Sequence, residues 1–302
     1  MFAKGANVEP SDYYNTAKFY LRQFTGLKTI PSVANRLVTM IDEDTSSLRD
    51  FEEVIRVDPT LVLRLLKLVN SAYFSLRTKI KDISEAVAYI GVDNLRNMII
   101  LDALKNLFRG SSDAESFSRN QLWLHCSVTS ICCQMIAERV FVRKGEDDFL
   151  CGILHDIGLI VEDQVAPEKF KEFCRTYDPD NQHIIGHERR VIGTDHTTIS
   201  YLLTREWGLP QDLCQGVKRH HRALDQVDPS SHAGILQIAE YLVSRLGYDA
   251  FPETVTGLVS PPLIAHIKEN IMGYRAIMDD LPLEIQRAKE IYALEEDGDG
   301  LI

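Results

Sequence analysis

Apolar residues in this chain recur every third or fourth position and almost nowhere every second. That spacing gives helices with one buried stripe, not strands. Over 10–25, Tyr13, Ala17, Tyr20, Leu21 and Phe24 share a face and predict a first helix. Ile30-Pro31-Ser32 opens a second, with Val33, Leu37, Val38 and Ile41 on one side. Ser46 or Ser47 can cap a third that holds Leu48, Phe51, Val54 and Ile55. Asp58-Pro59 is a start signal, because proline suits a first helical position whose N–H has no partner anyway. The run 61–69 that follows is apolar nearly all round and belongs at the centre of a bundle. It ends at Asn70-Ser71-Ala72-Tyr73-Phe74, where the Asn70 amide is expected to bond backbone.

Ile83–Ile90 and 95–107 read as two more helices, parted by Gly91. Polar, glycine-containing residues at 108–118 mark a boundary. Beyond it come helical runs at 120–140, 147–162, 196–206, 211–221 and 232–246, and a last amphipathic helix at 282–296. Pro252, Pro261-Pro262 and Pro282 break the C-terminal region into short pieces. Val140-Phe141-Val142 is too short for a strand, and the acidic end 295–300 lacks the closing glutamate of a calcium loop. The expected fold is all-α, a multi-helix bundle. Its expected parts are an N-terminal helical part (1–112), a second helical part (113–246) and a C-terminal extension (247–302).

Composition narrows the function. The chain has 302 residues and a net charge of −11. That balance argues against nucleic acid or an anionic membrane as partner, since phosphate surfaces select lysine and arginine. Cys126, Cys132, Cys133, Cys151, Cys174 and Cys214 form no CxxC pair and sit mostly in apolar runs, as buried reduced thiols do. No apolar stretch reaches the ~18 residues of a membrane span. Met1-Phe2-Ala3-Lys4-Gly5 lacks the apolar core of a signal peptide, so a cytoplasmic protein is expected.

The chemistry lies in the histidines. His155-Asp156-Ile157-Gly158 is preceded by His125 and followed by His196 and the pair His220-His221. Each interval is about one helix plus a connection, so the side chains can meet at the centre of a bundle. Read as part of one helix, His155 and Asp156 point about 100° apart and can grip one metal or serve two. Imidazole and carboxylate suit transition metals, and one or two such ions are what phosphoester hydrolysis needs. Plainer roles stand beside this one. His125 can be a core histidine, His155-Asp156 a hydrogen bond between helices and His220-His221 a basic helix end. Asp195-His196-Thr197-Thr198 reads equally well as a capping segment. His183, His187, His232 and His266 read as solvent or local-contact residues, with His187-Glu188 the pair that could intrude on the site.

The order of these groups resembles the HD superfamily of metal-dependent phosphohydrolases. Residues 25–245 more closely resemble its HDOD (HD-related output domain) branch. The likeness rests on Ile30-Pro31, Asp58-Pro59, Val69-Asn70-Ser71-Ala72-Tyr73-Phe74, Ile83, Ala86, Ile90 and Gly91. It also rests on Trp123-x-His125, on residues 152–158, and on His196 with Trp207-Gly208-Leu209-Pro210, followed by His220-His221. Glu240 falls where related enzymes end their set with an aspartate. The resemblance implies an HD-like bundle with a packed N-terminal helical subdomain, in a bacterial signal-transduction protein. It implies a retained metal site of His125, His155, Asp156, His196, His220, His221 and Glu240. A divalent transition metal is expected, iron before manganese or zinc, as one ion or two. The expected partner is a signalling protein or a nucleotide second messenger, and a homodimer is compatible. Catalysis is the alternative, a phosphohydrolase acting on a nucleotide or cyclic dinucleotide with His155 and Asp156 central. Against it, Leu159 stands where the related HD-GYP phosphodiesterases carry a phosphate-binding lysine. Residues 222–227 lack their Gly-Tyr-Pro loop, and Gln121 replaces a glutamate ligand.

Overall fold

A computed structural model describes residues 10–25, 47–56, 79–108, 116–178, 183–222, 227–251 and 259–292, and single positions at 36, 40, 62, 63, 65, 66, 69, 70, 110, 112 and 114. Most of the expected helix at 30–41, the Asp58-Pro59 start, residues 61, 64, 67 and 68 of the run 61–69, most of the loop at 222–227 and the acidic end lie outside the described residues.

The described elements are helices, with no strand among the described residues, as the apolar spacing requires. In chain order they are α1 (Pro10–Gln23), α2 (Leu48–Arg56), α3 (Ile83–Ile90), α4 (Val92–Phe108), α5 (Arg119–Arg139), α6 (Glu146–Leu154), α7 (Ile157–Val165), α8 (Pro167–Thr176), α9 (Ile184–Val191), α10 (His196–Glu206), α11 (Gln211–Arg219), α12 (His232–Arg245), α13 (Pro261–Glu269) and α14 (Ile271–Tyr292). None of them is long and apolar enough to cross a membrane.

Two apolar clusters hold these helices. Phe51, Ile55, Leu65, Val69, Ile83, Val87, Leu95 and Met98 form the smaller. The larger is centred on α5 to α7 and α10 to α12 and also takes in Ala17 and Tyr20 of α1 and Phe24 just after it. Helix α4 serves both, giving Leu95 and Met98 to one and Leu101, Leu104 and Phe108 to the other. Between them, the buried Arg96 guanidinium donates to Asp147 at 2.6 Å, and the Asn97 amide donates to the Glu146 carbonyl at 2.8 Å. Both bonds fasten α4 to the start of α6. Asn70 behaves as expected: its amide donates to the Leu66 and Ile80 carbonyls at 2.7 Å each and accepts the Ile80 N–H at 2.8 Å.

Three boundaries differ from the sequence reading. The run 147–162 is two helices that meet at His155 and Asp156, so these residues occupy a junction and not one continuous helix. Helix α14 begins at Ile271 rather than near 282 and carries Pro282 within it. Helices α8 and α9 escaped the apolar pattern, because α8 buries only Phe170 and Phe173 and α9 only His187 and Glu188. The cysteines are free thiols, and all but Cys174 are buried.

Candidate metal centre

Two close backbone contacts build the junction. A Cβ on Gly152 would lie 2.5 Å from Ser130 Cα, so only glycine lets α6 approach α5 this closely. A Cβ on Gly158 would lie 2.3 Å from the His196 carbonyl oxygen, and the Gly158 N–H donates to Ser200 Oγ at 2.9 Å. The start of α7 is therefore pressed against the start of α10. His125 comes in from the middle of α5, His196 opens α10, His220 and His221 follow the last turn of α11, and Glu240 lies on α12.

These side chains converge. His125 Nε2 and His155 Nε2 are 3.2 Å apart, and His196 Nε2 and His220 Nε2 3.4 Å. Asp156 lies between the pairs. Its Oδ2 is 3.2 Å from His155 Nε2 and 3.7 Å from His125 Nε2, and its Oδ1 is 3.3 Å from His196 Nε2 and 3.5 Å from His220 Nε2. Glu240 Oε1 sits 3.0 Å from His125 Nε2 and 3.1 Å from His155 Nε2. The centre thus has two lobes with one shared carboxylate: His125, His155, Asp156 and Glu240 in one, and Asp156, His196, His220 and His221 in the other. The capping role at 195–198 is also real. Asp195 Oδ1 accepts the Thr198 N–H at 2.8 Å, and the same cap aims His196 inward.

The tautomers follow from the outer contacts. Nδ1 of His125, His155 and His220 lies 2.7 Å from the carbonyls of Tyr248, Gly152 and Val217 respectively. A carbonyl only accepts, so each Nδ1 carries a proton, and in its neutral form each ring turns an Nε2 lone pair inward. Two Nε2 atoms facing each other at 3.2 Å need a shared proton or a metal ion between them. Asp156 Oδ1 and Glu240 Oε1 are buried and accept no hydrogen bond, although imidazoles surround them. Donor atoms 3.0 to 3.7 Å apart match the edges of a coordination polyhedron with bonds of about 2.0–2.2 Å. The residues present therefore fit a bound metal.

The buried carboxylates draw positive charge into the first lobe, as a proton or as a metal ion. Burial would lower the His155 pKa, but the Asp156 and Glu240 carboxylates outweigh it and hold the ring well above its ordinary value. Burial would raise Asp156, but His155 and its neighbours hold that carboxyl well below the usual range, and the same contest lowers Glu240. In the other lobe, burial lowers His220 and, with His220 and His196 beside it, drives His221 well below the ordinary imidazole value. One lobe attracts positive charge through its carboxylates, and the other keeps neutral nitrogen donors free.

Of the pair His187-Glu188, which the sequence marks as able to intrude on the site, Glu188 does so, and Glu162, to which the sequence gives no role, stands behind it. Glu188 carries the His196 imidazole on both oxygens, with Nδ1 2.8 Å from Oε1 and 2.9 Å from Oε2. Its neighbour His187 turns away to the Thr176 hydroxyl and Arg190. Glu162 lies buried behind Glu188, and burial followed by the charge of Glu188 pushes its carboxyl well above the usual range. Burial followed by the charge of Asp195 raises Glu188 as well, while a hydrogen bond with Glu162 works the other way. Gln121 takes no part in the cluster and donates to the Asp249 carbonyl at 3.1 Å. Leu159 is only 1% exposed and belongs to the core. Of the other histidines, His183 is exposed, His266 stacks on Phe141, and His232 is buried against Asp148.

The fold and centre define a helical module of the His-Asp type. The family model of the HDOD domain matches residues 27–223, and this chain belongs to the HDOD family. A curated protein of Treponema pallidum (strain Nichols), described as uncharacterized, is 28% identical over 198 residues, which are 64% of this chain. The chain spans only 37% of that relative's length. Three solved structures share the fold. An HDOD domain protein of unknown function from Geobacter sulfurreducens is 22% identical with a TM-score of 0.64, covering 89% of this chain and 98% of its own. A candidate phosphohydrolase from Shewanella amazonensis SB2B is 22% identical with a TM-score of 0.67, covering 92% and 97%. A candidate signal transduction protein from Marinobacter aquaeolei VT8 is 17% identical with a TM-score of 0.70, covering 96% and 68%.

Proposed function

We propose that this protein is a cytoplasmic bacterial signal-transduction module that holds divalent transition metal at the two-lobed centre and acts through binding, with a signalling protein or a nucleotide second messenger as partner. The carrying observation is the pair of inward Nε2 atoms of His125 and His155, 3.2 Å apart, beside the unpartnered oxygens of Asp156 and Glu240. His125, His155, Asp156 and Glu240 would hold one ion and Asp156, His196, His220 and His221 a second. Iron is favoured, because imidazole with carboxylate suits it. Bound metal there supplies positive charge for an anionic ligand. The carbonyls of Tyr248, Gly152 and Val217 keep the imidazoles oriented before any ion arrives.

Leu159 supports binding over turnover. With its side chain in the core, that position offers no cation to a phosphoryl group, an electrostatic contact worth about 3 kcal/mol in a transition state. The second reading, a phosphohydrolase of nucleotides or cyclic dinucleotides, draws on the shared Asp156, whose two oxygens could clamp two ions on one phosphate. Elemental analysis of the protein expressed with iron, beside Asp156→Ala and an assay with a cyclic dinucleotide, tests both. The expected result is stoichiometric metal in the wild type, its loss in the variant and no turnover. A metal-free wild type overturns the metal site. Metal-dependent hydrolysis that Asp156→Ala abolishes replaces the first reading with the second.

A further inference from the structure

The two lobes differ in charge. The lobe of His125 and His155 has its own carboxylate, Glu240, besides the shared Asp156. The lobe of His196, His220 and His221 has imidazoles and the shared Asp156 alone. The outer contacts differ in the opposite sense. His125, His155 and His220 rest their Nδ1 protons on neutral carbonyls, whereas His196 rests its own on both oxygens of Glu188. Glu188 is fully buried and, among the described residues, has no lysine or arginine within ion-pair distance. A buried carboxylate without a cation is expensive to keep in an apolar core. Among the described residues its side-chain neighbours are this imidazole and Glu162.

An anionic acceptor at Nδ1 draws the proton outward and sends electron density to Nε2, which makes the ring a stronger donor and fixes its orientation. We infer that Glu188 is the positioning residue of the second lobe: as the acceptor behind His196 it fixes that ring and strengthens its Nε2 as a donor, where Glu240 serves the first lobe as a direct neighbour of His125 and His155. This rests on the reading of the centre as a metal site. The lobes then hold their ions by different routes, one through a direct ligand and one through a carboxyl group behind a ligand. Glu162, also fully buried, backs Glu188 from α7 and joins the second lobe to the helix that starts beside Asp156.

The test is titration of the metal-free full-length protein with Co(II), following the visible ligand-field absorption and the ions bound per chain. The wild type is expected to take two ions. Glu188→Gln keeps the size and an acceptor oxygen but removes the charge, and is expected to weaken one of the two ions by ten- to a hundredfold and leave the other unchanged. In a His125→Ala background, where only the second lobe is intact, the same substitution should weaken the single remaining ion. Glu188→Asp should restore part of the affinity. Should Glu188→Gln be unstable because Glu162 then lacks its partner, Glu162→Gln/Glu188→Gln removes both buried carboxyls and carries the same expectation. Two ions bound as tightly as in the wild type, or both weakened alike, overturns the assignment. A wild type that binds no cobalt sinks the metal reading itself.

Discussion

Gly158 and His196 stand with backbones in direct contact: a single methyl group on Gly158 would come within 2.3 Å of the His196 carbonyl oxygen. The glycine after the His-Asp pair is therefore a spacing device. It lets the helix that starts beside Asp156 lie against the helix that starts with His196, so both residues face the same centre. Gly158→Ala is expected to push α7 and α10 apart. Overpacking of this kind typically costs about 1–3 kcal/mol, and the upper end applies because backbone cannot rotate aside. Urea denaturation measures the loss. Metal analysis should show the lobe of His196 and His220 depleted first. A variant of unchanged stability and metal content would contradict this account.

His232 should give the fold a measurable pH dependence. Its Nδ1 lies 2.7 Å from Asp148 Oδ1, with Arg143 also on Asp148 and Asp212 Oδ2 3.5 Å from Nε2. Burial alone would lower its pKa, but the bond to Asp148 and that residue's charge raise it despite Arg143. A raised folded value means that the native state holds the proton more tightly than the unfolded chain. The stabilisation is then complete below the unfolded value of about 6.5 and fades as pH climbs through the folded one. Comparing Tm of metal-loaded wild type and His232→Ala from about pH 5.5 to pH 9 isolates this residue. The gap should narrow toward the alkaline end. A gap that stays constant or widens excludes the linkage.

Asn70 should matter to stability and not to metal. Its side chain makes three bonds to backbone, tying the helical turn at Leu66 to the strand-free segment before α3. At about 1 kcal/mol net per bond, Asn70→Ala should lose about 1–3 kcal/mol in chemical denaturation with unaltered metal stoichiometry. Loss of metal without loss of stability would reassign Asn70 to the site.

Much of this was legible in the residue order, for physical reasons. Helices announce themselves when they bury an apolar stripe, so α1, α5, α10 and α12 followed from spacing. Helices α8 and α9 did not, because they bury two aromatic rings in one case and a polar pair in the other. The convergence of His125, His155, Asp156, His196 and His220 followed from intervals that one helix and a connection can span. The break of the helix at His155 was hidden, since no proline or polar run marks it. The glycines on either side, Gly152 and Gly158, have their close neighbours in other helices. The pair His187-Glu188 was visible as a neighbour of the site, but which of the two enters it was not: the glutamate carries His196 and the histidine turns to Thr176.

Glu240 lies beyond residue 223, where the family match ends, and the carbonyls of Tyr248 and Asp249 that anchor His125 and Gln121 lie further still. A recombinant fragment trimmed to the boundaries of the family would thus lack one wall of the cage and the strut behind another. On the metal reading proposed above, a judgement drawn from the matched segment alone would omit Glu240, whose carboxylate stands 3.0 Å from His125 Nε2.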